Sequence, residues 1–151
     1  FYGKVTMYED YDPHARNLIL YFLDKHFPDP DHLVRPTDPL PIVVDEAEIR
    51  ELFPTDDRLE NYRALNKAVR EIGLNIPPLV NAYMALSPEM RVFGTAINED
   101  FGHVEETGIL IAIDEIIPDK RVRHIETFDP DKAQSDLLWT NISRRVRLVK
   151  S

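Results

Sequence analysis

The chain has 151 residues, a length that suits one compact domain. Its 27 acidic and 18 basic residues give a formal charge of −9, which disfavours nucleic acid as a partner because like charges repel. Cysteine is absent, which excludes disulfide scaffolds, zinc–thiolate sites and cysteine nucleophiles. No apolar run approaches the ~20 residues that a membrane-spanning helix needs.

The first quarter of the chain predicts a strand, a helix and an extended connection. Residues 1–8 are rich in β-favouring side chains, and an aspartate–proline pair then opens a helix predicted over 13–26. Residues 28–41 hold five of the twelve prolines, so we expect an ordered loop there, with a short strand at 42–44 as an option. Because the chain opens on Phe1 and directly on a strand, we expect a piece of a longer protein.

Three helices and a β-hairpin are predicted next. A short acidic helix over 45–53 precedes a helix that starts at Thr55 or Asp56 and ends at a glycine C-cap, and a third starts at a proline pair. Segments 90–97 and 106–114 flank a polar, glycine-containing turn, as in a hairpin. The second segment has an apolar core on both faces, which predicts a central strand covered on both sides, with Ile111 buried.

Most catalytic signatures are missing from the sequence. It contains no G-x-S-x-G elbow, no H-E-x-x-H motif, no Walker loop and no G-x-G-x-x-G motif. His26 and His32 stand near several aspartates, but their spacing fits no metal-binding pattern, so we expect solvated loop residues and no metal site. Asn75 is predicted to cap the third of these helices; an anion site at that helix start is the alternative, and the structural role is the default.

The hairpin tip gathers ionisable groups that could serve acid–base chemistry. Asp100, His103, Glu105 and Glu106 place three carboxylates and one imidazole within a few residues. A base that deprotonates an amine needs such a group, although a solvated loop tip is the simpler interpretation of the residues alone. Glu105 and Glu106 must face opposite ways along a strand, so only one of them can point inward.

Three segments carry a family resemblance. They are I-P-P-L-V-N-A-Y-M-A-L at 76–86, V-F-G-T-A-I-N-E-D-F-G at 92–102 and T-G-I-L-I-A-I-D at 107–114. These segments resemble the C-terminal half of the hemolysin-like acyltransferases, a GNAT-related family that includes enzymes N-acylating ornithine or glycine in aminolipid synthesis. The chain departs from the family with Glu106-Thr107-Gly108, where Thr-Ala-Asp is frequent, and it lacks the pantetheine-binding turn.

The resemblance implies both architecture and domain limits. It implies a mixed α/β fold, GNAT-like, with a central sheet, a β-hairpin and several flanking helices. Residues 1–125 would form the C-terminal part of such a domain, with the proline-rich insertion at 28–41, and residues 126–151 a polar tail. Within that tail we expect the apolar residues 137–139 to dock, and residues 144–150 to form a basic end.

The resemblance also implies an activity. A fatty acyl group would pass from an acyl-carrier protein or CoA thioester to the amine of a small amino acid, with Glu106 or His103 as catalytic base and Asp100 and Tyr83 binding the acceptor. It implies no metal, no cofactor held by this chain, and no transfer by the chain alone. We expect a cytoplasmic protein, with peripheral contact at the inner face of the membrane as an option.

Two other functions were weighed. A non-catalytic α/β interaction module of a larger protein stays open, and the sequence upstream of Phe1 would distinguish it from the enzyme. A lytic protein is excluded, since lysis needs an apolar or cationic amphipathic surface and this chain is acidic with short apolar runs.

Overall fold

The computed structural model describes residues 1–126, which form a mixed α/β structure with three strands and five α-helices. The strands are β1 (Tyr2–Met7), β2 (Arg91–Asn98) and β3 (Val104–Leu110), and the helices are α1 (Pro13–His26), α2 (Glu46–Leu52), α3 (Arg58–Glu71), α4 (Pro78–Leu86) and α5 (Pro118–Arg121). The chain divides into two compact units, Phe1–Ile116 and Ile117–Ser151. The first unit holds the sheet and helices α1 to α4. The second opens on α5 and a π-helical turn, Val122–Glu126.

Aspartate caps set the starts of two helices, and the cap at Asp12 is the one that was predicted. The Asp12 carboxylate accepts the backbone N–H of Ala15 at 2.9 Å, and α1 begins at the following proline. Asp45 caps α2 by accepting the N–H groups of Ala47 and Glu48. None of the described helices is long and apolar enough to cross a bilayer.

Two predicted caps were wrong. Helix α3 is capped by Asp57, whose carboxylate accepts the N–H of Glu60, whereas Thr55 lies outside the helix and donates its hydroxyl to the Glu60 side chain. Asn75 does not cap α4. Prolines open that helix with no side-chain cap, and the Asn75 carbonyl accepts the hydroxyl of Tyr11 instead.

The sheet is antiparallel throughout, with the order β1-β3-β2. The predicted hairpin of β2 and β3 is confirmed, and β3 is the central strand. Its predicted extent was wrong: β3 ends at Leu110, and a 3₁₀ turn occupies Ile113–Glu115. The option of a strand at 42–44 was also wrong, because those residues pair with no strand of the described sheet.

Helices cover one face of the sheet. Val5, Ile109 and Ile111 on that face are almost fully buried and join one apolar core with side chains of helices α1 to α4. The burial of Ile111 is therefore confirmed. The prediction that the run 109–113 would be covered on both sides was wrong at its end, because β3 stops before Ala112 and Ile113, which are exposed. The predicted docking of residues 137–139 and the basic end at 144–150 lie outside the described residues.

The buried position of Ile111 predicts a large stability difference between two nearby substitutions. Ile111→Asp should lower the free energy of unfolding by about 4 kcal/mol or more, since it removes core packing and buries an unpaired charge. Ile113→Asp is the matched control, because Ile113 is 51% exposed, and it should change the free energy by less than about 1 kcal/mol. Urea unfolding followed by circular dichroism measures both; equal losses would contradict the burial described here.

Candidate functional site

Two adjacent glutamates on β3 face opposite sides of the sheet. Glu105 lies on the helix-covered side, where its carboxylate accepts a hydrogen bond from Arg16 Nη1 at 2.6 Å. Glu106 lies on the other side and accepts a hydrogen bond from Lys4 Nζ, also at 2.6 Å. The two-residue period of a strand thus separates one buried ion pair from one that faces a groove.

The groove lies between the sheet face that carries Glu106 and the proline-rich segment. It encloses about 730 Å³. We call it the sheet groove; its floor is formed by side chains or backbone of Tyr2, Lys4, Phe93, Gly94, Ala96, Asn98, Glu106 and Gly108, its wall by residues 34–41, and its end by residues 97–100.

Local contacts hold the wall of the sheet groove against the floor. The backbone N–H of Leu40 donates to the carbonyl of Thr95 at 2.8 Å. β2 has an irregular register between Val92 and Thr95, and Gly94 in that bulge has φ +96°. A side chain at Gly94 would strain this backbone, and its Cβ would approach Pro36 Cγ to 3.2 Å. The bulge therefore lets a proline pack directly on the sheet.

The chain before the wall is tied to β2 by charge. Arg91 Nη1 pairs with the carboxylates of Asp29 and Asp31. Hydrogen bonding to Asp31 raises the pKa of Arg91 above its usual value, which keeps the guanidinium charged. The segment that covers the sheet is thus anchored at its start by an ion pair and further along by a backbone hydrogen bond.

The sheet groove is acidic overall. Four carboxylates line it, from Asp38, Glu99, Asp100 and Glu106, against two cations, from Lys4 and Arg35. Such a surface attracts a cationic group from solution. The hydrogen bond from Lys4 holds the pKa of Glu106 below its ordinary value, with Asn98 adding to the effect, so this carboxylate stays ionised near neutral pH.

The structure brings some of the predicted site residues together and separates others. Asp100 and Glu106 both line the sheet groove. His103 is exposed in the turn, with φ +56°, and is not among the lining residues. Tyr83 is on the helix-covered side, where its ring lies 5.8 Å from that of Phe1, and a Cβ on Gly3 would sit 2.4 Å from its hydroxyl oxygen.

Sequence reasoning missed two polar residues of the floor. Lys4 belongs to a strand 102 residues away from Glu106, and only the strand register brings them together. Asn98 is predicted from the sequence to lie in the turn, but in the structure it is the last residue of β2 and lies beside Glu106. The buried partner of Glu105 was missed as well; Arg16 Nε and Glu105 Oε2 find no hydrogen-bond partner among the described residues.

The arrangement suits an organic zwitterion or cation better than a metal ion. Among the side chains that the structure describes, no group of three or more histidine, aspartate or glutamate residues could hold a metal ion. Glu106 is instead neutralised by Lys4 on the same floor. An ionised carboxylate beside an ammonium group can bind a ligand that carries both charges.

The chain is similar to two curated enzymes. It is 60% identical over 128 residues to a glycine N(alpha)-acyltransferase of Bacteroides thetaiotaomicron, and 60% identical over 128 residues to an enzyme of the same name from Phocaeicola vulgatus. It resembles part of an acyltransferase. The matches cover 85% of this chain but only 38% and 39% of the relatives. No family model matches the chain. No solved structure matches it significantly.

The Lys4 contact predicts how Glu106 titrates. Its pKa should lie below the ordinary value of a glutamate, and Lys4→Met should raise it, because the largest cause of the lowering is removed. Lys67→Met, on the exposed side of α3, serves as the control and should leave it unchanged. A carboxyl-detected NMR titration measures the three values.

The lowered pKa of Glu106 also determines how the stability of the fold changes with pH. A lowered pKa contributes stability that is present above the ordinary glutamate pKa and lost as the pH falls through the lowered one. Lys4→Met should reduce that acid dependence, because it removes the largest cause of the lowered pKa. A Glu106 that titrates at the same pH in wild type and Lys4→Met would contradict the ion pair.

Proposed function

We propose that the chain is part of an N-acyltransferase that joins a fatty acyl group to the amine of a small amino acid. The observation that carries this proposal is the 60% identity to two enzymes named glycine N(alpha)-acyltransferase. The sheet groove supplies a site for the acceptor, because its excess of carboxylates attracts the ammonium form of an amine.

The proposed reaction forms an amide and releases a thiol. The acceptor ammonium first loses a proton to a base, and the lone pair of the neutral amine attacks the carbonyl carbon of an acyl thioester. The carbon–sulfur bond then breaks, the sulfur leaves with the bonding electrons, and the attacking nitrogen loses its second proton, which balances the proton taken up by the thiolate. We propose an acyl-carrier protein or CoA as the thiol carrier, bound by residues beyond those of this chain.

Residue roles follow from position in the sheet groove. Glu106 binds the ammonium and is the first candidate for the base, since it is ionised and lies on the floor. Asp100 draws the amine to the end of the groove. His103 remains the second candidate base on the exposed turn. Tyr83 faces away from the groove, so its proposed role is to support β1 from the helix side.

The proposal also assigns the thioester-binding part, the acyl donor and the membrane contact of the enzyme. The chain spans 38% of the length of the Bacteroides relative, so the thioester-binding part is assigned to the remaining length of an enzyme of that size. The resemblance to hemolysin-like acyltransferases of aminolipid synthesis supports a fatty acyl donor. An acylated product with an amphipathic character also fits peripheral contact with a membrane surface.

The kinetic prediction concerns the acidic residues of the intact natural protein. Glu106→Gln, or His103→Ala if the imidazole is the base, should lower kcat/KM for glycine by about 10²–10⁴-fold, the usual contribution of a general base. Asp100→Asn should mainly raise the acceptor KM, because it reduces the attraction of the ammonium. Steady-state assays of thiol release with glycine measure these constants.

A matched control makes this test specific. Glu71→Gln also removes one negative charge, but from an exposed residue of α3 that pairs with Lys67, so kinetics should stay near wild type. If all three site variants fold and keep near-wild-type kinetics, the tip is a solvated turn, and the proposed roles of Asp100, His103 and Glu106 are wrong.

A second prediction concerns the 151-residue chain on its own. It should show no measurable acyl transfer from an acyl-carrier or CoA thioester to glycine or ornithine, because a thioester that is not held is not oriented for attack. The intact natural protein, assayed in parallel, is the positive control. Turnover by the isolated chain would contradict the assignment of thioester binding to other residues, and an inactive intact protein would favour a non-catalytic interaction module.

A further inference from the structure

We infer that Lys4 binds the α-carboxylate of the acceptor amino acid while Glu106 binds its ammonium group. This inference rests on the proposed function and adds a specificity-determining residue to it. The juxtaposition that carries it is a lysine and a glutamate on neighbouring strands, with both head groups on the floor of one groove.

The register of the sheet places the two charges for an amino acid. Lys4 pairs with Gly108 across β1 and β3, and Glu106 pairs with Thr6, so the two charged residues are diagonal neighbours on one face. Gly108 also lines the groove, and the space directly above it is taken by Tyr2 and Phe93, whose atoms a Cβ there would approach to 3.3–3.5 Å. An α-amino acid carries its two charges one carbon apart, so it needs an anion and a cation that are adjacent, as these are.

The ion pair can open at little cost. The Lys4 side chain is 48% exposed, whereas that of Glu106 is 17% exposed and is also hydrogen-bonded by Asn98. Half-exposed pairs contribute little to stability, so the flexible lysine can move aside while the glutamate stays in place. A bound zwitterion then replaces one ionic contact with two, each between opposite charges.

A second cation in the sheet groove provides the competing assignment. Arg35 lines the wall and forms no ion pair with the residues that the structure describes. Lys4, by contrast, pairs with Glu106, and among the ion pairs of the described residues this is the one whose two partners both line the groove. We therefore assign the carboxylate of the acceptor to Lys4. Binding of that carboxylate by Arg35 is the alternative, and the experiment must distinguish the two.

The consequence is selection for acceptors with a free carboxylate. Glycine would use both contacts, whereas glycinamide keeps the amine but lacks the anion. In the intact natural protein, the ratio of kcat/KM for glycine to that for glycinamide should fall about 10–100-fold in Lys4→Met, the range of one hydrogen bond to a charged group. The change should appear mainly as a higher KM for glycine.

Three further variants make the kinetic test decisive. Lys4→Arg keeps the charge and should retain much of the selectivity, and Lys4→Thr should behave as Lys4→Met does while favouring the strand. Arg35→Gln should keep the wild-type ratio. Thermal melting confirms that each variant is folded. The inference is overturned if both uncharged Lys4 variants keep the wild-type ratio, or if Arg35→Gln alone removes it.

Calorimetric titration with glycine, without any thioester, separates this inference from the proposed function. Wild type should bind glycine at least about tenfold more tightly than Lys4→Met does. Lys4-dependent binding without acyl transfer would leave the carboxylate contact standing and contradict the proposed function. Acyl transfer with unchanged selectivity and glycine binding in Lys4→Met would support the function and contradict the contact. Absence of both would contradict both.

Discussion

The pairing of β3 with a strand on each side is the constraint on which the site depends. Because successive side chains of a strand alternate, this one strand supplies the core with Ile109 and the groove with Glu106. The register with β1 then fixes which residue stands beside Glu106, and that residue is Lys4. A slip of one residue would exchange Glu105 and Glu106 between the two faces and dismantle both ion pairs.

The proline-rich segment turns an open sheet face into a groove. Prolines cannot donate to a ladder, so residues 34–41 cross the face as an extended wall and do not add a strand. The bulge at Gly94 lets Pro36 approach, and the Arg91 pairs fix the chain before it. The groove thus exists because one irregularity in β2 and one insertion fit each other.

Local signals predicted much of the fold. The bounds of α1 followed from an aspartate cap and the prolines on either side, and the hairpin followed from two apolar runs around a glycine turn. Local competition explains the errors: Asp57 outcompetes Thr55 as the cap of α3, and the prolines at α4 start a helix without help from Asn75. The end of β3 was missed because its apolar run continues past the point where the backbone turns.

About half of the candidate site could be predicted from the sequence, namely the residues whose positions depend on local strand and turn geometry. Strand alternation allowed only one of Glu105 and Glu106 to point inward, the family resemblance that begins at Thr107 favoured Glu106, and the polar tip indicated Asp100; Glu106 and Asp100 both line the sheet groove. Lys4 was invisible because its position beside Glu106 depends on pairing between distant strands. The side taken by Tyr83 likewise depends on how α4 packs against β1, and spacing along one helix does not reveal that.

The most direct test is a crystal structure of the intact natural protein with bound glycine. We predict the glycine carboxylate about 3 Å from Lys4 Nζ and the amine at a similar distance from the Glu106 carboxylate, with the direct Lys4–Glu106 contact opened. Glycine bound outside the sheet groove, with the Lys4–Glu106 pair intact, would contradict the account.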